Sequence, residues 1–197
     1  MVCIAIRCDV QIKSTFYFGK TGSGKTLHTT IDALVDCLSG RDIYSNMTFY
    51  HFPYTKIDLL DMVDAVIDNK NDFTDTKPKT LILDEIQTLM DARRSASRSN
   101  VDFSLFISQC RKRGFNVIYT SQYLNGADIR LRQLTDKLVW CVAVYKTGDE
   151  LKGFKYIKFD VMTGKYKIQF IRESVASVFY KFYNTYEVVR PVEEYIT

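Results

Sequence analysis

Residues Gly19 to Thr26 read Gly-Lys-Thr-Gly-Ser-Gly-Lys-Thr, a complete loop of the form G-x-x-x-x-G-K-[ST]. Its glycines let the backbone curl so that successive N–H groups converge on a polyphosphate. Gly19, Lys20, Thr21, Gly22, Ser23, Gly24, Lys25 and Thr26 are therefore candidate nucleotide-binding residues. Lys25 is expected to reach the β- and γ-phosphates of ATP, and the Thr26 hydroxyl to take one position on Mg²⁺. The flanks suit such a loop. Ser14 to Phe18 is a short β-rich run. Leu27 to Leu38 predicts a helix with Leu27, Ile31, Leu34, Val35 and Leu38 on one face. The N-terminus of that helix would add partial positive charge to the anion site.

The rest of the chain is that of an ordinary globular protein. Its 197 residues suit one domain, with a motif core over about 14–145 and a β-rich extension over about 146–197. Three prolines and nine glycines leave little room for linkers. A net charge of +4 is too small to specify nucleic-acid binding by itself. No apolar run reaches the roughly 20 residues of a membrane span, and the N-terminus lacks a signal-peptide layout. An intracellular location without a transmembrane segment is the expectation. Cys3, Cys8, Cys37, Cys110 and Cys141 have no C-x-x-C pair and read as reduced core thiols. His28 and His51 form no zinc pattern with them, and His28 reads as a partly exposed helical histidine.

Strand and helix signals alternate. Val2 to Arg7, Ile43 to Ser45, Thr80 to Leu83, Asn116 to Ser121 and Leu138 to Val144 are strand candidates. Ile57 to Ile67 carries apolar residues at mixed helical spacing, and Lys70 to Lys79 reads as a surface loop. Val101 to Arg113 predicts a helix with Phe103, Phe106, Ile107 and Cys110 inward. Such alternation argues for an α/β fold, a mainly parallel sheet with helices on both faces. Lys155 to Asp160 and Lys165 to Phe170, around Thr163-Gly164, predict a C-terminal β-hairpin.

Hydrolysis needs a carboxylate for Mg²⁺ and a base for the attacking water. The apolar run Leu81-Ile82-Leu83 ends in Asp84-Glu85, which supplies both. The competing role for this pair is to cap the next helix. Gln122, just after Asn116 to Ser121, is a candidate γ-phosphate sensor, with a solvent-facing amide as its bland alternative. Arg111, Arg113, Arg130 and Arg132 flank the sensor strand, and any of them could be an arginine finger or a solvated helix end. Arg93, Arg94 and Arg98, in a Ser-rich stretch, suit either a DNA backbone or an exposed loop.

Taken in order, the phosphate loop, Leu-Ile-Leu-Asp-Glu and Arg-Lys-Arg-Gly-Phe-Asn-Val-Ile-Tyr-Thr-Ser-Gln resemble the FtsK–HerA superfamily of P-loop ATPases. Compact size and the run Ala127 to Asp136 are most similar to genome-packaging ATPases of membrane-containing, often archaeal, viruses. The resemblance covers roughly Phe16 to Val144. It implies a RecA-like core of the additional-strand catalytic-glutamate type. It also implies a homo-oligomeric ring, usually a hexamer, that moves double-stranded DNA into a preformed capsid. A capsid or membrane-vertex protein would be its partner, in the host cytoplasm or the virion. On this resemblance Lys25 and Thr26 bind ATP and Mg²⁺, Asp84 holds the metal-bound water, Glu85 is the general base and Gln122 the sensor. One of the four arginines acts in trans. Filamentous-phage assembly ATPases and plasmid DNA-transfer ATPases share a similar motif set. A small nucleotide kinase fits the loop but not the Asp-Glu pair followed by Gln.

Overall fold

The computed structural model describes residues 12–58, 77–89, 98–126 and 129–184. Eight strands form one sheet: β1 (Ser14–Phe18), β2 (Asp42–Ser45), β3 (Thr55–Lys56), β4 (Lys79–Leu83), β5 (Phe115–Ser121), β6 (Lys137–Tyr145), β7 (Leu151–Asp160) and β8 (Tyr166–Arg172). Their order is β3-β2-β4-β5-β1-β6-β7-β8. The six strands from β3 to β6 run parallel, and β7 and β8 add an antiparallel edge. Helices α1 (Lys25–Leu38), α2 (Ile86–Leu89), α3 (Arg98–Lys112), α4 (Ile129–Gln133) and α5 (Glu173–Phe179) connect or flank them. β5 lies between β1, which feeds the glycine-rich loop, and β4, which ends in the carboxylate pair. That interposed strand is the additional strand that the resemblance implies.

Central strands read as continuous apolar runs because both faces are covered. All five residues of β4 are buried. Alternate side chains go to opposite cores. Phe16, Leu81, Leu83, Val117 and Tyr119 pack with Phe106, Ile107 and Cys110 of α3 and Leu131 of α4. Tyr17, Ile82, Ile118 and Val139 pack with Leu27 and Ala33 of α1 and Ala176 of α5. The predicted hairpin is β7–β8. Its turn is closed by the Asp160 carboxylate, which accepts from the Thr163 N–H and hydroxyl, each at 2.8 Å. These two donors hold the Asp160 carboxyl below its usual value.

Several expectations are corrected. Of the face predicted for α1, Leu27 is buried, but Val35 and Leu38 are 54% and 75% exposed. The buried face also carries Thr29, Thr30 and Ala33. The Thr30 hydroxyl can be buried because it donates back to the Thr26 carbonyl at 2.8 Å. His28 is not partly exposed. It is buried, hydrogen-bonded to the Tyr17 hydroxyl (3.1 Å) and Gln169 (3.2 Å), with its ring edge-on to Tyr156. The loop expected to reach Lys79 ends sooner, since Lys79 opens β4 and is buried. Cys110 and Cys141 are buried thiols, each pushed up to about 12 by that burial. Cys3, Cys8, the strand expected at Val2 to Arg7, and most of Ile57 to Ile67 lie outside the described residues, as do Arg93 and Arg94.

The N-terminal edge of the parallel sheet is tied by polar bonds. Asp136 accepts from the Ser14 N–H (2.8 Å), the Ser14 hydroxyl (3.0 Å) and the Arg111 guanidinium (3.1 Å), while Arg111 also donates to the Leu134 carbonyl (2.7 Å). Removing the acceptor orphans donors on two elements, β1 and α3. Asp136→Ala is therefore expected to lower unfolding free energy by about 2–3 kcal/mol in a denaturant titration. A loss under about 0.5 kcal/mol would contradict this role.

Candidate active site

β1 ends at Phe18 and α1 begins at Lys25, so residues 19–24 form the whole loop between them. Gly22 (φ +75°) and Gly24 (φ +86°) adopt left-handed backbone that a side chain resists. Gly24 also permits a close approach. A Cβ there would lie 2.6 Å from the Phe154 ring and 2.7 Å from the Tyr156 hydroxyl. That hydroxyl donates to the Gly24 carbonyl at 3.0 Å, so the hairpin supports the loop from behind. Gly24→Ala should destabilise the fold by about 2 kcal/mol and weaken ATP binding at least tenfold. Chemical denaturation and calorimetric titration would read both, and an unperturbed ATP affinity would show that the loop tolerates displacement.

Lys25 sits under the loop, 8% exposed, donating to the carbonyls of Gly19 (2.8 Å) and Lys20 (3.2 Å). Burial holds its ammonium below the usual lysine value, with the charges of Asp84 and Glu85 acting against that. Thr26 lines the same cleft one residue on.

Asp84 and Glu85 leave the sheet at the end of β4. Asn46, just past β2, brackets Asp84: its amide oxygen accepts from the Asp84 N–H (2.8 Å) and its amide nitrogen donates to the Asp84 carbonyl (3.1 Å). The Thr120 hydroxyl donates to the Asp84 carboxylate (2.6 Å) and accepts from the Glu85 N–H (3.0 Å). One side chain of β5 thus fixes both acids. Burial pushes the Asp84 carboxyl up. The Thr120 hydrogen bond opposes this, neighbouring Glu85 adds to it, and Lys25 opposes it. Glu85 has φ +52°, an uncommon conformation for a non-glycine residue, which costs on the order of 1 kcal/mol and is held by that hydrogen bond. Both acids line the cleft with the loop and precede α2.

The cleft has a volume of about 420 Å³. Thr21, Gly22, Gly24, Lys25, Thr26, Asp84 and Glu85 line it, together with Leu27, Met47, Phe154, Tyr180, Tyr183 and Asn184. A hydroxyl and a buried carboxylate in one cleft fit Mg²⁺ shared with phosphate oxygens, since Mg²⁺ is normally held by one or two carboxylates plus substrate. Among the described residues no cluster of three or more His, Cys, Asp or Glu could cage an ion alone.

Gln122 follows β5 beside Gly19, whose N–H donates to the Ser121 carbonyl at 3.3 Å. Its side chain is half-buried and does not line the cleft. The arginines separate. Arg111 and Arg113 precede β5, at the far end of a seven-residue strand and so about 20 Å from the loop. Arg111 is already engaged by Asp136 and Leu134. Arg132 reaches back to Asn125 (3.2 Å), in the turn just past Gln122, and Arg130 is exposed. Arg98 opens α3. Sequence reasoning missed Asn46, Thr120 and the aromatic residues of the cleft. A threonine at the inner end of an apolar strand was the one available signal.

A glycine-rich loop between β1 and α1, a buried lysine beneath it, and an acidic pair one strand removed define the P-loop NTPase fold in its additional-strand form. Solved structures share it. The N-terminal domain of zonular occludens toxin from Neisseria meningitidis is similar with a TM-score of 0.63 and 20% identity, over 88% of this chain and 99% of that one. The genome-packaging NTPase B204 of Sulfolobus turreted icosahedral virus 2, in complex with AMP, is similar with a TM-score of 0.59 and 12% identity, over 80% and 96%. Its complex with AMPPCP gives a TM-score of 0.60 over the same share of this chain. No protein-family model matches the sequence, and no curated protein matches it either.

Proposed function

We propose that the protein is an ATPase that converts ATP and water to ADP and phosphate and uses the energy to move double-stranded DNA, as in packaging a viral genome into a preformed capsid. The observation that carries this is the Asp84–Glu85 pair, pinned by Thr120 and facing the same cleft as the phosphate loop. Lys25 pairs with the β- and γ-phosphates, and loop N–H groups take the remaining oxygens. Thr26 and Asp84 hold Mg²⁺. When bound, that ion neutralises charge on the phosphoryl oxygens. Glu85 accepts a proton from the water that attacks the γ-phosphorus as the bond to the β-phosphate oxygen breaks. Gln122, beside the loop but outside the cleft lining, has the sensor role only on the resemblance.

The ring expected for such motors, a hexamer, would bring an arginine to a neighbour's γ-phosphate. Arg130 and Arg132 are the better candidates, because Arg111 already serves the fold. Arg93, Arg94 and Arg98 would contact the DNA backbone without reading sequence. The likeness to a packaging NTPase supports DNA as the cargo. The likeness to the zonular occludens toxin domain covers more of the chain; the second assignment, an assembly or export ATPase on the same fold, rests on the shared motif set. Phosphate release with and without linear double-stranded DNA tests the first. Stimulation of about tenfold is expected; hydrolysis indifferent to DNA would direct the search to a protein or single-stranded cargo.

A further inference from the structure

The cleft brings two chemistries together. The loop, Lys25, Thr26 and the two carboxylates are a constellation for phosphates and metal. Phe154 of β7 and, beyond α5, Tyr180, Tyr183 and Asn184 form an aromatic wall of the same cleft. None of these four side chains carries a charge. Phosphates gain nothing from such a wall, whereas a planar ring does.

The wall is also built rather than draped. Tyr183 forms an isolated antiparallel bridge with Phe49, and the Tyr50 N–H donates to the Phe182 carbonyl at 2.8 Å. Tyr183 is buried in the core shared with α1. The Tyr180 hydroxyl donates to Glu173 at 2.7 Å, and its ring stands edge-on to Tyr183, with centroids 6.5 Å apart. Phe154 packs against Gly24, the residue just before α1. Each ring is therefore held by the fold, while Tyr180 stays half-buried with part of its surface in the cleft. A preorganised aromatic surface is what base stacking requires, because little freedom is lost on binding.

We infer that this aromatic wall is a nucleobase subsite, with Tyr180 as a specificity-determining residue that stacks on the base of the bound nucleoside triphosphate. The inference rests on the nucleotide reading of the phosphate loop. It adds that affinity comes from the base as well as the phosphates, and that the segment after the hairpin belongs to the binding site. Phe154 and Tyr183 set the depth of the subsite.

Calorimetric titration of the full chain with ATP and with inorganic tripolyphosphate, both with Mg²⁺, tests it. The wild type should bind ATP about tenfold or more tightly than tripolyphosphate. Tyr180→Ala should lose about tenfold for ATP and less than twofold for tripolyphosphate. Tyr180→Phe keeps the ring without the bond to Glu173, and should retain ATP affinity within twofold. Thermal unfolding reports whether each variant folds, and Tyr180→Leu, which keeps volume without the ring, replaces the alanine variant should that one melt early. Equal wild-type affinity for the two ligands would overturn the subsite alone. So would an equal loss for both ligands in Tyr180→Ala, or an unchanged ATP affinity. Binding of neither ligand by the wild type would overturn the nucleotide reading together with it.

Discussion

Glu85→Gln is expected to stop ATP turnover while leaving ATP bound. Glutamine keeps the size of the side chain and the backbone bond to Thr120, so the left-handed turn at this position survives. What it loses is the capacity to accept a proton from water. A positioned general base contributes about 10²–10⁴-fold, and a loss in that range is predicted for the steady-state rate. Binding depends on the loop, Lys25 and Thr26, none of which changes, so the dissociation constant for ATP should stay within a few-fold. Phosphate release and equilibrium titration on one preparation measure both. A variant that hydrolyses within tenfold of the wild type would remove Glu85 from the chemistry.

Lys25→Met should do the reverse, abolishing binding without harming the fold. Lys25 is the buried cation of the site, and its burial works against its charge. Its ammonium donates to two loop carbonyls, and one of these belongs to exposed Lys20, where water can replace it. Methionine fills the same volume with no charge to desolvate. Stability should therefore change by no more than about 1 kcal/mol in either direction. A polyphosphate, however, loses its charge-assisted partner, and Asp84 and Glu85 are left to repel it. ATP affinity is expected to fall by about 100-fold or more. A large loss of stability with affinity preserved would mean that Lys25 is a structural residue.

The parts legible in the sequence were those written in local pattern. The phosphate loop needs glycines at fixed spacing, and it stands between β1 and α1 as read. β4 announced itself as an apolar run with an acidic end, since a strand covered on both faces has no solvent side to mark with polar residues. The β7–β8 hairpin followed from alternation around Thr163-Gly164. The α1 face was misjudged because apolar residues were assumed to point inward. Here Thr29, Thr30 and Ala33 are buried, while Val35 and Leu38 face outward. Long-range partners carried no local signal. Asn46 meets Asp84 from 38 positions away, Thr120 meets it from 36, and Tyr156 reaches Gly24 across 132. Only the sheet order, which sets β5 beside β4 and β7 near the loop, brings them together. For Arg111 the sequence offered an arginine finger or a solvated helix end, and the fold shows a side chain paired with Asp136.

Displacement of a triplex-forming oligonucleotide from linear double-stranded DNA tests the proposed motor most directly, with the Glu85→Gln variant alongside. The prediction is displacement by the wild type with ATP, none with a non-hydrolysable analogue, and none by the variant. ATP hydrolysed at full rate with the triplex left in place would contradict it.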